Sequence, residues 1–179
     1  MIFCPLPGTP TVTQGFGQNP DIYKAFGWQG HEGIDFGVPV GTTVYAPHDG
    51  MVTVKDSGPQ GFGLHVIVQD SKRQSLLAHL SETTLKSGDN VSQGDPIGKS
   101  GQSGMATGPH LHWAFRLLVN GVIQNKDNGY GGALDVSQYV RLWQPQNLFD
   151  HATYTAEALP YKTLQLANNQ QLKNPNRIA

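Results

Sequence analysis

Residues 108–119 read GPHLHWAFRLLV, an apolar run that carries two histidines near its start. The run predicts a strand from Leu111 to Val119. Alternate side chains of a strand point to opposite faces, so His110 and His112 should share one face while Leu111 turns into a core. Two imidazoles on one face suit a metal or a catalytic pair. A lone His-x-His is nevertheless more often a pair of half-exposed strand histidines.

Short β-rich runs separated by turn residues extend on both sides of this strand. The tetrapeptide Pro47-His48-Asp49-Gly50 predicts a hairpin turn between strands at 42–46 and 51–54. No sustained helical period occurs before residue 130. Further strands are predicted at 11–13, 64–69 and 76–80, with short ones at Val91 and Ile97. The chain is therefore predicted to be mainly β, with antiparallel strands.

Composition excludes several classes of protein. The 179 residues suggest one domain, or one domain with an appendage. Charged residues make up 14% of the chain and the net charge is -1, which gives no basic surface for nucleic acid. No apolar stretch is long enough to insert into a membrane, and residues 1–14 show neither the basic start nor the long apolar core of a signal peptide, so none is expected there. The single cysteine, Cys4, excludes an internal disulfide.

The sequence divides at about residue 150. Residues 1–149 are predicted to form the main domain, within which 120–138 read as a long hairpin or surface insertion. Residues 150–179 are polar and are predicted to form a C-terminal tail of unknown function.

A second cluster of polar residues is His31-Glu32-Gly33-Ile34-Asp35. The neighbouring glycines argue against a helix, so His31 is expected in a loop that folds back towards Asp35 at the start of a strand. Outside a helix, Glu32 is expected to point away from the pair. The alternative is a surface salt bridge or a turn-capping aspartate.

Together, His31, Asp35 and His112 supply the two nitrogens and one oxygen that an open catalytic zinc site uses. His110 would then lie beside the metal, where it could act as a general base. His79, at the end of the strand at 76–80, is a second candidate for the same pocket, able to hydrogen-bond to the attacking water or to a developing oxyanion.

Three segments resemble the lysostaphin/LytM-type zinc metalloendopeptidases, a family of peptidoglycan hydrolases. They carry the family's H-x-x-x-D, A-H-L-S, glycine-rich and G-P-H-L-H-(F/W) motifs, in order, across roughly residues 30–118. The segments are GHEGIDFGVPVGTTVYAPHDGMV (30–52), LLAHLS (76–81) and VSQGDPIGKSGQSGMATGPHLHWAF (91–115). The resemblance implies a compact antiparallel β-sheet fold, or distorted β-sandwich, with long loops around a metal groove.

The resemblance also implies roles for individual residues. His31, Asp35 and His112 would bind one zinc ion, and His79 and His110 would be catalytic, either being the base. The implied substrate is a cross-bridge or stem peptide of bacterial peptidoglycan. It would be cut outside the cell or in the periplasm by a monomer, for example a phage or bacterial lysin. The alternatives are a non-cleaving binding or regulatory domain of this fold, or a structural part of a phage tail or secretion machine. The intact motif positions favour an enzyme.

Overall fold

The fold was analysed in a computed structural model, which describes residues 2–137 and the backbone of the strand Val140–Trp143. The predicted tail at 150–179 and the boundary at 149 lie outside these residues. The described residues form thirteen strands and two short helical turns. In chain order they are β1 (Ile2–Pro7), β2 (Thr11–Gln14), α1 (Pro20–Tyr23), a 3-10 turn (Lys24–Phe26), β3 (Ile34–Gly37), β4 (Thr43–Tyr45), β5 (Gly50–Asp56), β6 (Leu64–Gln69), β7 (Arg73–Ala78), β8 (Leu80–Glu82), β9 (Asn90–Val91), β10 (Pro96–Ser100), β11 (His110–Val119), β12 (Val122–Ile123) and β13 (Val140–Trp143).

The largest sheet is antiparallel and has β11 near its middle. Its strand order is β2-β3-β11-β7-β6-β5-β9, and β12 pairs with the end of β11. A smaller antiparallel sheet has the order β4-β10-β8, and β1 pairs in parallel with β13. The mainly β fold predicted from the sequence is confirmed. No helix in the described part of the chain is long and apolar enough to cross a membrane.

The core lies against one face of the large sheet. Leu111, Trp113 and Phe115 alternate along β11 and are all buried there. They pack with residues of the small sheet such as Val44 and Ile97, which are also fully buried. Each such side chain contributes roughly 1.5–3 kcal/mol through removal from water. The opposite face of β11 is therefore free to carry polar groups, and His110 and His112 lie on it, as the alternation predicts.

The predicted hairpin at Pro47–Gly50 is wrong. The strands before and after it belong to different sheets, because β4 pairs with β10 and β5 pairs with β6 and β9. The turn is instead a corner between the sheets, held by long-range bonds: Gln93 N donates to Asp49 Oδ1, and Phe3 N donates to Pro47 O. A turn motif specifies a local reversal of the chain, but it does not specify that the flanking strands pair.

The predicted insertion at 120–138 has two parts. Asn120 and Gly121 both have positive φ angles and join β11 to β12 in a tight hairpin, which is shorter than the long hairpin predicted. Most of the described residues after it are exposed or half-buried, but Ala133 and Val136 are buried and Leu134 N donates to Phe115 O. Residues 133–134 therefore pack along β11.

Candidate active site

His31 is held by a loop that precedes β3. Its backbone N–H donates to Gln18 O and its carbonyl accepts from Gly17 N. The loop passes so close to the chain at Gly17 that a Cβ at Gly30 would lie 2.4 Å from Gly17 O. The His31 side chain donates from Nδ1 to Gly15 O at 3.1 Å, which leaves Nε2 with its lone pair in the neutral ring.

The register of the large sheet brings Asp35 and His112 together. His112 on β11 lies opposite Asp35 on β3 and, on its other side, opposite Ala78 on β7. The strand pairing therefore places the carboxylate on one flank of His112 and the residue just before His79 on the other.

Three atoms of the kinds that bind metals lie close together near the start of β3. His31 Nε2 lies 2.9 Å from His112 Nδ1 and 3.2 Å from Asp35 Oδ1, and His112 Nδ1 lies 2.9 Å from the same oxygen. All three residues are buried. The structure thus brings together the three residues predicted as a metal set, though they stand close enough to hydrogen-bond to one another directly.

The donor set fits a small divalent cation. Two ring nitrogens and a carboxylate oxygen are zinc ligands, and atoms that share a tetrahedral zinc ion at about 2.0 Å lie ~3.3 Å apart. When the neutral ring of His31 carries its hydrogen on Nδ1, its Nε2 faces Asp35 Oδ1 at 3.2 Å, and a cation between the two atoms would bind both lone pairs. The combination of His31, Glu32 and His112 is looser, with ligand atoms within 4.8 Å of one another.

The electrostatics of this cluster favour an ionised Asp35 and a protonated His112. Burial opposes ionisation of Asp35, but hydrogen bonds from His112 and His31 outweigh it and hold the pKa of the carboxyl below its ordinary value. Burial likewise disfavours protonation of His112, yet the nearby carboxylates of Glu32 and Asp35 raise its pKa to about 9. Two buried carboxylates therefore attract positive charge to the position between the histidines.

His79 lies between β7 and β8 instead of within a strand. Its backbone has a φ of 60°, a left-handed conformation that is unusual for a residue with a side chain. The Nδ1 atom donates to Ser103 O at 2.7 Å, so Nε2 is the free nitrogen. Burial lowers the pKa of His79 to about 4, which keeps the ring neutral near pH 7.

His110 stands beside His79 at the edge of the donor cluster. The two rings have centroids 4.6 Å apart. His110 donates from Nδ1 to Gly108 O at 2.8 Å, and its Nε2 lies 3.8 Å from Asp35 Oδ2. Both histidines predicted to be catalytic thus direct Nδ1 at a backbone carbonyl, which leaves Nε2 as the functional nitrogen of each ring.

These residues lie in a groove of about 540 Å³. One wall is apolar and comes from α1 and the residues after it, where Ile22 and Phe26 are 58% and 47% exposed. The opposite wall includes Phe62 and Met105. A long peptide can lie across such a groove with one carbonyl beside the histidine cluster.

The wall that includes Phe62 is built from two loops whose backbones touch. A Cβ at Gly63 would lie 2.4 Å from the backbone of Ser103, and one at Gly104 would lie 2.3 Å from Gly63 N. Met105 N donates to Gly61 O at 2.8 Å. Only glycine permits this approach, and this explains part of the high glycine content.

Two residues of the site were missed by the sequence reasoning. The ring of Tyr23 lies 5.4 Å from that of His31, and burial raises its pKa to about 12, so its hydroxyl keeps its proton and can donate. The expectation that Glu32 points away from the site is wrong, because its Oε1 atom lies 3.2 Å from His112 Nε2. The buried glutamate has a sequence signal only in hindsight, since it directly follows His31.

The remaining aromatic residues and histidines near the site differ in their surroundings. Phe36 and Trp113 are buried in the core, whereas Trp28 lines the groove. His48 and His65 are buried away from the donor cluster, with Nδ1 of each bonded to a backbone carbonyl. This burial and bonding give both histidines a structural role.

A peptide-sized groove with a buried two-histidine, one-carboxylate donor set and two further histidines at its rim is the arrangement of a metallopeptidase. Comparison with known sequences specifies the family. The family model described as "Peptidase family M23" matches residues 29–130, and the chain belongs to that family. The resemblance seen in the sequence is thereby confirmed.

Individual relatives agree with this assignment. The peptidoglycan DD-endopeptidase ShyA of Vibrio cholerae is 41% identical over 91 residues, which are 51% of this chain and 21% of that protein. The chain thus matches about a fifth of the length of this curated relative. The catalytic domain of lysostaphin from Staphylococcus simulans superposes with a TM-score of 0.58 at 28% identity, covering 73% of this chain and 91% of that domain. A zinc-containing peptidase from Vibrio cholerae superposes with a TM-score of 0.54 at 32% identity, covering 69% and 38% of the two chains.

Proposed function

We propose that this protein is a zinc-dependent endopeptidase that cuts peptide bonds in bacterial peptidoglycan. The observation that carries the proposal is the triangle of His31 Nε2, Asp35 Oδ1 and His112 Nδ1, with sides of 2.9–3.2 Å, at the floor of an open groove. These three residues would hold the metal. A bound zinc ion supplies Lewis acidity, which polarises a peptide carbonyl and makes water a stronger acid.

His110 is the proposed general base, which accepts a proton from the attacking water. Its Nδ1 hydrogen is engaged by Gly108 O, so Nε2 offers a lone pair close to Asp35 and the donor cluster. A neutral imidazole in that position accepts or relays a proton. The same ring can return the proton to the amine that leaves when the peptide bond breaks.

His79 supports the reaction from the other side of His110. In its neutral form the Nδ1 hydrogen is held by Ser103 O, so Nε2 is an acceptor that orients the water. Donation to an oxyanion on the substrate carbonyl requires a proton at Nε2, so His79 would donate in this way only if it, instead of His110, took the proton of the water. The geometry of the two rings is similar enough that their roles can be exchanged.

The substrate class is supported by the groove and by the relatives. A peptide of peptidoglycan is extended, and the groove is open and flanked by apolar walls. ShyA is named a peptidoglycan DD-endopeptidase, so a stem-peptide or cross-bridge bond is the substrate proposed for this chain. A lytic use, as in a phage or bacterial lysin, and a monomeric state are part of the proposal. Residues 1–149 are proposed to form the enzyme domain and 150–179 a separate tail.

The test is cleavage of purified cell walls followed by turbidity. Activity should disappear with a chelator, return with zinc, and fall by at least about a hundredfold in His110→Ala, the scale expected for loss of a general base. Full activity in the chelator would refute the metal mechanism. A zinc-loaded, folded protein that binds walls without cutting them would support the non-cleaving alternative. Mass spectrometry of the fragments identifies the bond.

A further inference from the structure

The imidazole of His112 is contacted on both of its edges. One edge presents Nδ1 to His31 and Asp35, at 2.9 Å from each. The other edge presents Nε2 to Glu32 Oε1 at 3.2 Å. Glu32 and His112 are 1% and 3% exposed, so water does not replace this contact.

The ring is also contacted at its Cε1 corner and on one face. A Cβ at Gly33 would lie 2.6 Å from His112 Cε1, so the chain fits against the ring only because this residue is glycine. Phe62 stacks on the ring with centroids 5.4 Å apart and planes inclined by 30°. These contacts define a slot that fixes the plane of the imidazole.

A slot does not determine which way round the ring sits. Half a rotation about the bond between Cβ and the ring leaves the plane unchanged, but it replaces Nδ1 with a carbon atom on the edge facing Asp35. The tautomer is equally undetermined, because a neutral imidazole carries its hydrogen on either nitrogen. Asp35 on the near edge favours the orientation that turns Nδ1 towards it, and a polar acceptor on the far edge reinforces that orientation and fixes the tautomer.

Glu32 is that polar group. Glu32 Oε1 and His112 Nε2 are both buried and lie 3.2 Å apart, and among the described residues neither atom has a hydrogen-bonding partner. If His112 gives its Nδ1 lone pair to a metal, its hydrogen resides on Nε2 and needs a buried acceptor. Arg116 is also buried, and burial lowers its pKa, but the negative charge of Glu32 opposes this effect. Glu32 therefore has a buried positive charge nearby.

We propose that Glu32 is a positioning residue that accepts a hydrogen bond from Nε2–H of His112 and thereby directs Nδ1 of that ring at the metal. Carboxylates behind ligand histidines fix the tautomer and increase the basicity of the ligand. The proposal rests on the zinc site of the proposed function. It excludes Glu32 from the ligand set, in which Asp35 supplies the oxygen.

The test is the zinc affinity of the full chain, measured by competition with a chromophoric chelator. Glu32→Leu should bind zinc about 10–100-fold more weakly than the unsubstituted protein. Glu32→Gln should lose less, because its amide oxygen still accepts a hydrogen bond. Glu82→Gln makes the same chemical change at an exposed position on β8 and should bind zinc as the unsubstituted protein does.

Two affinity results would overturn the proposal. Equal affinities for Glu32→Leu and the unsubstituted protein would show that the glutamate does not position the ring. A loss as complete as that of Asp35→Ala would make Glu32 a ligand. If the unsubstituted protein binds no zinc, the proposed function fails first, and this outcome is distinct from a failure of Glu32 alone.

A second measurement begins with the unsubstituted protein. Nitrogen-15 NMR of the histidine rings in the zinc-loaded protein should show His112 with its hydrogen on Nε2 and hydrogen-bonded. Glu32→Gln should alter the chemical shift of that nitrogen, whereas Glu82→Gln should not. A hydrogen on Nδ1, or an Nε2 that does not respond to Glu32→Gln, would contradict the proposal.

Discussion

His79 donates from Nδ1 to Ser103 O at 2.7 Å while its backbone holds a φ of 60°. The left-handed turn between β7 and β8 is what aims the ring at the groove. Such a conformation costs a residue with a Cβ about 1–2 kcal/mol, so fold stability is lost to place this side chain.

Replacing His79 by glycine and by alanine separates the backbone strain from the loss of the ring. Both variants should lack activity. His79→Gly should unfold at a higher urea concentration than His79→Ala, and its free energy of unfolding should be greater by about 0.5–1 kcal/mol. At the exposed strand residue Met51 the order should reverse, since glycine weakens a strand interior. A greater stability for His79→Ala would refute the strain argument.

Adding a methyl group at Gly33 should displace His112. The new Cβ would lie 2.6 Å from both the ring and the carbonyl of Trp113, so one of them must move. Gly33→Ala should therefore weaken zinc binding by about tenfold or more, measured by chelator competition. Zinc affinity unchanged from the unsubstituted protein would contradict the slot described for the ring.

Zinc should stabilise the folded chain. Binding to the native state alone adds about 2.7 kcal/mol when the free metal is at a hundred times its dissociation constant. Thermal unfolding of the chelator-treated protein should shift upwards on addition of zinc. Asp35→Ala should abolish the shift, and a shift that persists undiminished in this variant would show that the metal binds elsewhere.

Acid should destabilise the protein through His48. Burial, with a smaller effect from the charge of Arg73, lowers its pKa below the ordinary 6.5, although its hydrogen bond to Asp49 O opposes this. Between the folded-state pKa and pH 6.5, the unfolded chain therefore binds a proton on His48 that the folded chain does not bind. The stabilising contribution is complete above pH 6.5 and is lost as pH falls from there towards the folded-state pKa.

A His48→Gln variant isolates this contribution. Its free energy of unfolding should fall less than that of the unsubstituted protein between about pH 7.5 and 5.5, measured with urea at each pH. His65, whose pKa burial also lowers, is present in both proteins and so does not affect the comparison. Parallel pH profiles would rule out His48 as a source of the acid sensitivity.

The apolar wall of the groove should act in substrate binding. Ile22 and Phe26 are exposed in the groove, and replacing each with serine removes apolar contact with a bound peptide. We expect KM to rise by about three- to tenfold with little change in kcat. Val122→Ser, at an equally exposed residue outside the groove, is the control. A fall in kcat with KM unchanged would place these residues in the chemical step instead.

The sequence contained enough information to predict the central strand and the donor set. Alternation along β11 predicted that His110 and His112 share a face, and the glycines around His31 predicted a loop that returns to Asp35. Both inferences use local rules, namely the two-residue period of a strand and the low helix propensity of glycine.

The sequence did not predict contacts that depend on tertiary pairing. The corner at Pro47–Gly50 is set by Gln93 and by the pairing of β4 with a strand some fifty residues later. The position of Glu32 likewise depends on His112, eighty residues away. Loop and turn chemistry has no access to such partners, because they are chosen by the packing of the whole sheet.

The touching backbones of Gly63 and Gly104 couple two loops that are forty residues apart in the chain. No side chain separates the two backbones, so an insertion in one loop displaces the other loop and shifts Ser103, whose carbonyl accepts the hydrogen bond from His79. Replacing one of these loops with that of a relative should therefore succeed only when both loops are exchanged together. For the same reason, a change in the peptide bond that is cut should evolve through paired changes in the two loops.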